Sequence, residues 1–184
     1  YDQNTGLLAS RFRAKQYEPR SDGTVHVVQL EAEFFDARGR IQFTLKGDDG
    51  DVVMPGGADQ IDPRTRRMGG GNAAAVLPNR GQLRGVRIDI FPDGETSTPL
   101  VLTLNNAAFD NDTFRIYTES FVNSEGIRVP GDRVPVQLRG PDYDFDGTGL
   151  TVRWNERERI LQALEIAHGE RVLIRNTQAI SLDN

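Results

Sequence analysis

The feature that most constrains this chain is a period-two alternation of apolar and polar residues that recurs along most of its length. Between 25 and 35, Val28, Leu30, Ala32 and Phe34 share one parity, and between 83 and 91, Val86, Ile88 and Ile90 alternate with Arg87 and Asp89. A period of two puts such residues on one side of an extended chain, so both runs read as half-buried strands. Shorter runs repeat the pattern: Ile41, Phe43, Leu45; Leu102, Leu104; Phe114, Ile116; Val134, Val136, Leu138; Leu150, Val152, Trp154; and Val172, Ile174. Turn-forming clusters separate them at intervals of about 8–12 residues. These are Ser21-Asp22-Gly23, Ala37-Arg38-Gly39, Asp49-Gly50, Pro92-Asp93-Gly94, Asn111-Asp112, Pro130-Gly131-Asp132 and Asp146-Gly147. The spacing predicts a meandering antiparallel sheet and an all-β fold.

Two segments test that expectation. From Glu156 to Ala167, Ile160, Leu164 and Ala167 fit a helical face, whereas Ile160, Leu164 and Ile166 fit a strand, and the strand is expected. The stretch 55–82 carries Pro55, Gly56, Gly57, Pro63, Gly69-Gly70-Gly71 and Pro78, and reads as a long Gly/Pro-rich loop around one short strand, Ala73–Leu77. With 184 residues and β pattern on both sides of that loop, a single domain spanning 1–184 is expected.

The residue inventory excludes several chemistries. There is no cysteine, hence no thiol nucleophile and no thiolate metal site. The formal charge is −5 and the 22 basic residues form no run, so no nucleic-acid partner is expected. No apolar run approaches the roughly 18 residues that would span a bilayer. His26 and His168 each lack a ligand or nucleophile at motif spacing, and no nucleotide-binding or nucleophile-elbow motif occurs. Asp142-Tyr143-Asp144-Phe145-Asp146-Gly147 has the opening of a calcium loop, but the twelfth position is Arg153 where a bidentate Glu is needed, so a solvated acidic turn is expected. Glu31, Glu33, Asp89 and Glu119 could supply a carboxylate pair for glycoside hydrolysis, and they equally suit the outer parity of strands. Asn111-Asp112-Thr113 matches a glycosylation sequon. The expectation is a non-enzyme with no catalytic residue, no metal and no cofactor.

What remains is physical. Successive strands present one apolar parity of Val, Ile, Leu and Phe, and such a surface either closes on itself as a core or holds something apolar.

The order of segments adds a resemblance. Thr5-Gly6-Leu7-Leu8 through Ala14, the Ser21-Asp22-Gly23 turn, the run 25–35, Phe35-Asp36-Ala37-Arg38-Gly39, a strand at Ile41–Lys46 and a polar turn at Gly47–Gly50 resemble the start of the periplasmic domain of the LptC family. Leu100–Asn105, Phe114-Arg115-Ile116-Tyr117-Thr118, Val134-Pro135-Val136 and Gly147-Thr148-Gly149-Leu150, followed by a closing strand pair, are similar to the run shared by LptC and LptA (OstA-like) proteins, LptC being the nearer. The resemblance covers roughly 1–54 and 98–175, and 55–97 departs from it by its length and Gly/Pro content.

The resemblance implies an open, twisted antiparallel β-jellyroll of the OstA-like kind. It further implies a non-catalytic periplasmic module that carries lipopolysaccharide from an inner-membrane ABC transporter toward the outer membrane. LptC-like proteins are anchored by one N-terminal helix, which this sequence does not contain. The expected lipid-lining residues are Val86, Ile88, Ile90, Leu102, Leu104, Phe114, Ile116, Val134, Val136, Leu138, Leu150, Val152 and Trp154. Expected partners are the lipid itself, an LptA-like jellyroll and the ABC transporter components, met by edge-strand pairing that would also allow homo-oligomers. A β-sandwich carbohydrate-binding or hydrolase domain would instead show exposed aromatics or a carboxylate pair in a cleft. A structural interaction module would show a closed core with neither.

Overall fold

The computed structural model describes residues 10–55, 61–62, 67–68, 78–92, 97–155 and 161–175. Strands form wherever alternation is sustained: β1 (Ser10–Pro19), β2 (Thr24–Phe35), β3 (Ile41–Val53), β6 (Arg80–Ile90), β7 (Leu100–Asp110), β11 (Pro135–Arg139), β12 (Tyr143–Trp154) and β13 (Leu161–Ile174). Shorter ones are β4 (Ile61–Asp62), β5 (Arg67–Met68), β8 (Arg115–Tyr117), β9 (Phe121–Val122) and β10 (Arg128–Val129). One 3-10 turn, Gly131–Arg133, is the only helical element among the described residues.

The main sheet has nine strands in the order β1-β2-β3-β6-β7-β11-β12-β13, with β8 pairing both β7 and β12. Every pairing is antiparallel. The slot between β7 and β12 is filled in two pieces: β8 lies beside Ala108–Asp110, and β11 beside Val101–Leu104. The chain leaves the sheet between them, through the hairpin β9–β10, and returns at Val134. The all-β, open antiparallel jellyroll expected from the sequence is therefore present, its outer strands β1 and β13 each paired on one side only among the described residues.

The sheet curls until its apolar face meets itself. Strands β3 and β12 are four steps apart in the ladder, about 19 Å on a flat sheet at roughly 4.8 Å per step. Yet the rings of Phe43 and Trp154 lie 5.4 Å apart, with Phe34 stacked on Phe43 at 4.2 Å and Phe114 edge-on to Trp154 at 6.2 Å.

The alternation carries a phase slip that crosses five strands at one level. Buried positions step by three instead of two at Val27 to Leu30, Gly47 to Gly50, Leu83 to Val86 and Leu104 to Ala107, and the half-buried Ala14 and Tyr17 of β1 continue the line. These positions face one another across the ladder, so register is kept while each strand turns two consecutive residues outward. The slip takes positive φ at Gln29 (50°) and Gly85 (59°). It acts as a bulge shared by neighbours, which bends the sheet without breaking pairing.

Three sequence expectations change. Val28 does not share the inner side with Leu30 and Ala32, because the slip falls at Gln29; Val25 and Val27 are the buried residues before it. Gly47–Gly50 is not a turn, since β3 runs through it. Asp146-Gly147 also lies inside a strand, where β12 shifts register against β13.

The excursion expected over 55–82 ends sooner, because Arg80–Gln82 already pair with Asp51–Val53 in β6; it is clamped at its base by the Asn79 N–H donating to the Val53 carbonyl at 2.9 Å, and it contains the β4–β5 ladder. The expected strand Ala73–Leu77 lies outside the described residues, as do Gly69–Gly71, Thr5–Leu8, residues 156–160 and the Asp93-Gly94 half of one turn. From Leu161 onward the ambiguous segment is strand.

Candidate functional site

Of the thirteen expected lining residues, eleven are buried members of one continuous apolar cluster: Val86, Ile88, Ile90, Leu102, Leu104, Ile116, Val136, Leu138, Leu150, Val152 and Trp154. Phe114, in the turn before β8 with φ of 52°, packs against it partly buried. Val134 is buried at the exit of the 3-10 turn but is not part of that cluster. The cluster also takes in Phe12, Val25, Val27, Leu30, Phe43, Leu45, Val52 and Leu83 from the first four long strands, which the list of lining residues omits.

Cross-strand register explains why these residues meet. One row runs Phe12, Ala32, Leu45, Ile88, Leu102, Leu138, Phe145, Val172, each opposite the next, through all eight strands of the main path. Directly opposed side chains on one face are within contact distance, so the row is a continuous apolar track. Its middle is sealed, with Ile88 and Leu102 fully buried, and its end is open, with Val172 60 % exposed.

The open end is the β12–β13 margin. Leu161, Leu164 and Ile166 of β13 pack on the core, but from Ala167 on every described residue of the strand is exposed, including Val172, Leu173 and Ile174. Opposite them on β12, Tyr143 pairs with Ile174 and Phe145 with Val172. Gly147 and Gly169 also face each other here, and the Phe145 ring fills the space their side chains would take. A Cβ at Gly147 would come within 2.8 Å of that ring, and one at Gly169 within 3.1 Å. Phe145 thus lies as a plug over two glycines where the sealed track meets the exposed margin. Its place in the Asp142–Gly147 motif disguised it, because the alternating carboxylates there read as a solvated acidic turn, whereas the chain is strand from Tyr143 onward and Asp144 is buried.

Those carboxylates are instead neutralised by arginine. Asp146 pairs with Arg139 at 2.6 Å and with Arg171 at 2.6 Å, and Asp144 pairs with Arg175 and, more distantly, Arg139. The Arg139 hydrogen bond, with a smaller one from Arg171, holds the Asp146 carboxyl below its usual value against a partial desolvation. Among the described residues, no group of three or more His, Asp or Glu is placed to hold a metal ion.

Of the carboxylate candidates, Glu31, Glu33 and Asp89 share one patch of the outer face, where arginine and lysine neutralise them, and Glu119 lies apart. Glu33 and Asp89 lie on the outer face either side of Thr44, whose hydroxyl donates to Asp89 at 3.4 Å. Glu33 is bound by Arg11 and Arg13, and Asp89 by Arg87 at 2.8 Å. The Arg11 hydrogen bond outweighs desolvation and keeps Glu33 below its usual value. Glu31 meets Arg13 and Lys46, and Glu119 is elsewhere, accepting from Gln82 at 2.6 Å. The Nδ1 atom of His26 is 3.0 Å from Asp51, and His168 is exposed, 3.9 Å from Asp132. The Asn111 side chain donates to the Pro78 carbonyl.

Neither a protein-family model nor a curated protein matches this chain. Among solved structures it is similar to LptH, described as the LptA-homologous periplasmic component of the lipopolysaccharide transport device of Pseudomonas aeruginosa. The TM-score is 0.41 at 11 % identity, over 84 % of this chain and 80 % of that one.

Proposed function

We propose that this chain is a non-catalytic, single-domain lipid carrier of the LptC/LptA kind, working in the periplasm and handling lipopolysaccharide or a lipid like it. The supporting observation is the eight-strand apolar track, sealed in the middle and open at the β12–β13 margin under Phe145. The order of sequence segments favours the LptC-like member.

On this reading an acyl chain enters beside Val172 and displaces the Phe145 ring from Gly147 and Gly169. It then parts the track toward Leu138, Leu102 and Ile88, and the remaining expected lining residues receive it. Burial gains roughly 0.8 kcal/mol per methylene, so about a dozen methylenes gain on the order of 10 kcal/mol gross. Association, ordering and the opening of a packed interior offset much of that, leaving binding weak enough to reverse. Release is as necessary to a carrier as grip. The single-sided edges of β1 and β13 suit strand addition by a neighbouring jellyroll, by a second copy or by the periplasmic part of an inner-membrane ABC transporter.

The test is photocrosslinking to purified lipopolysaccharide from benzoylphenylalanine at Phe145 or Val172, with outward-facing Arg87 as the control. Crosslinks at 145 and 172 but not at 87 are expected. Their absence in protein whose buried Trp154 emission shows it folded would overturn the reading and leave a closed structural module.

A further inference from the structure

The face of the sheet opposite the apolar track carries its own binding geometry. A cleft of about 460 Å³ lies over β3, β6 and β7, lined among others by Asp51, Gln82, Asp110, Tyr117 and Glu119. A smaller one of about 170 Å³ shares Asp51, Gln82 and Glu119 and continues past Asn106 to Ser120–Val122. A third, of about 390 Å³, lies over β8, β12 and β13, lined by Tyr117, Thr118, Asp132, Thr151 and Glu165 among others. Tyr117 lines both large clefts, which therefore adjoin at this residue. The wall is the segment leaving the sheet after β8, held by the Gln82–Glu119 hydrogen bond and by Thr118, whose hydroxyl accepts from the Leu150 N–H at 2.8 Å.

We propose that this trough binds a neutral oligosaccharide. Both large clefts fall in the usual range for small-molecule sites, and their sharing of one residue suits an extended ligand over a compact one. The walls present planar amides and carboxylates, from Asp51, Gln82, Asn106 and Glu119, able to bond adjacent hydroxyls in pairs. The half-buried Tyr117 stands at the junction between the small ladder neighbours Ala108 and Thr151, with the Arg115 guanidinium over its ring, so a sugar would meet ring edge and guanidinium together. The Arg115 guanidinium, 5.0 Å from the ring centroid, adds donors at the same point.

Charge decides against the competing ligand classes. Asp51 already meets Arg20 at 2.9 Å, Arg80 meets Asp110 at 3.8 Å, Arg84 meets Asp49, and Glu165 meets Arg153. The lining carboxylates Asp51, Asp110, Glu119, Asp132 and Glu165 outnumber Arg80, Arg84 and Arg115, so the trough repels a nucleic acid or a polyanion. Apolar side chains such as Val53, Phe109 and Phe121 are interspersed with these polar groups in the lining, which suits the mixed hydroxyl and C–H surface of a sugar. The trough lies across the sheet from the acyl-chain track, so the proposal stands whether or not the lipid reading does.

The test is titration of ¹⁵N-labelled protein with maltohexaose, cellohexaose, mannohexaose and chitohexaose, with hexagalacturonate as the acidic probe. At least one neutral probe is expected to shift the amides of 80–84, 106–110, 117–122, 149–151 and 165–167. Tyr117→Ala should abolish the shifts, and Glu119→Gln or Asn106→Ala should weaken binding about tenfold. Far-UV circular dichroism and Trp154 emission report whether each variant folds, and Glu119→Gln leaves the packing of the ring untouched should Tyr117→Ala fail to fold. No shift with any neutral probe, shifts confined to 143–147 and 169–174, or tighter binding of hexagalacturonate would each overturn the proposal.

Discussion

If the phase slip across β1, β2, β3, β6 and β7 bends the sheet, its two positive-φ residues should respond to substitution in opposite directions. Gly85 has φ of 59°, a region where an L residue costs roughly 1–2 kcal/mol. A Cβ there would stand 2.0 Å from an Asp48 carboxylate oxygen, so Asp48 must swing aside at a further cost of about 0.5–1.5 kcal/mol. Alanine recovers about 0.4–1 kcal/mol by stiffening the unfolded chain. Gly85→Ala is therefore expected to destabilise by about 2 kcal/mol. At roughly 2–4 °C per kcal/mol for a chain of this size, Tm falls by about 4–8 °C. Gln29 has φ of 50° without glycine's freedom, so Gln29→Gly relieves strain, loses some chain entropy, and should leave stability unchanged or raise it by up to about 1 kcal/mol. Urea unfolding followed by emission of the single tryptophan, Trp154, measures both. A Gly85→Ala protein as stable as the parent, or a Gln29→Gly protein clearly weaker, would refute the argument that the slip depends on left-handed backbone.

Further outcomes follow from the same structure. Phe145→Ala should cost less than the roughly 3–5 kcal/mol of a fully enclosed Phe, because one side of the ring already faces the open margin, and it should increase binding of an apolar dye such as ANS. Asp36 is pushed up by burial but pulled further down by the Arg40 and Arg38 N–H groups and the Arg40 guanidinium, so its carboxyl sits below its usual value. Its stabilisation is thus complete above the unfolded-state value near 4 and is lost as pH falls through the lower folded value; Asp36→Asn should flatten that acid limb of the urea midpoint against pH. Leu173→Lys, on an exposed edge, should change stability by less than about 0.5 kcal/mol while suppressing strand addition, read as loss of any self-association in sedimentation.

The alternation determined a great deal without tertiary information. Period two in Val86, Ile88, Ile90 or Val136, Leu138 fixes which side of a strand is apolar, and turn clusters such as Ser21-Asp22-Gly23 fix where strands end, because both depend on local backbone geometry alone. That sufficed for an all-β antiparallel class and for eleven buried members of one cluster. Parity does not report depth, nor whether strands that pair will slip together. Val28 fell on the wrong side because Gln29 turns left-handed, and Gly47–Gly50 stayed extended because Leu83–Val86 across the ladder makes the same slip. The Asp142–Gly147 motif offered carboxylates, but Arg139 and Arg171 from the neighbouring strands and Arg175 just past β13 claim them. The row from Phe12 to Val172, the ring of Phe145 over two glycines, and the trough around Tyr117 join residues up to 160 positions apart. Only the curl and register of the folded sheet place them side by side.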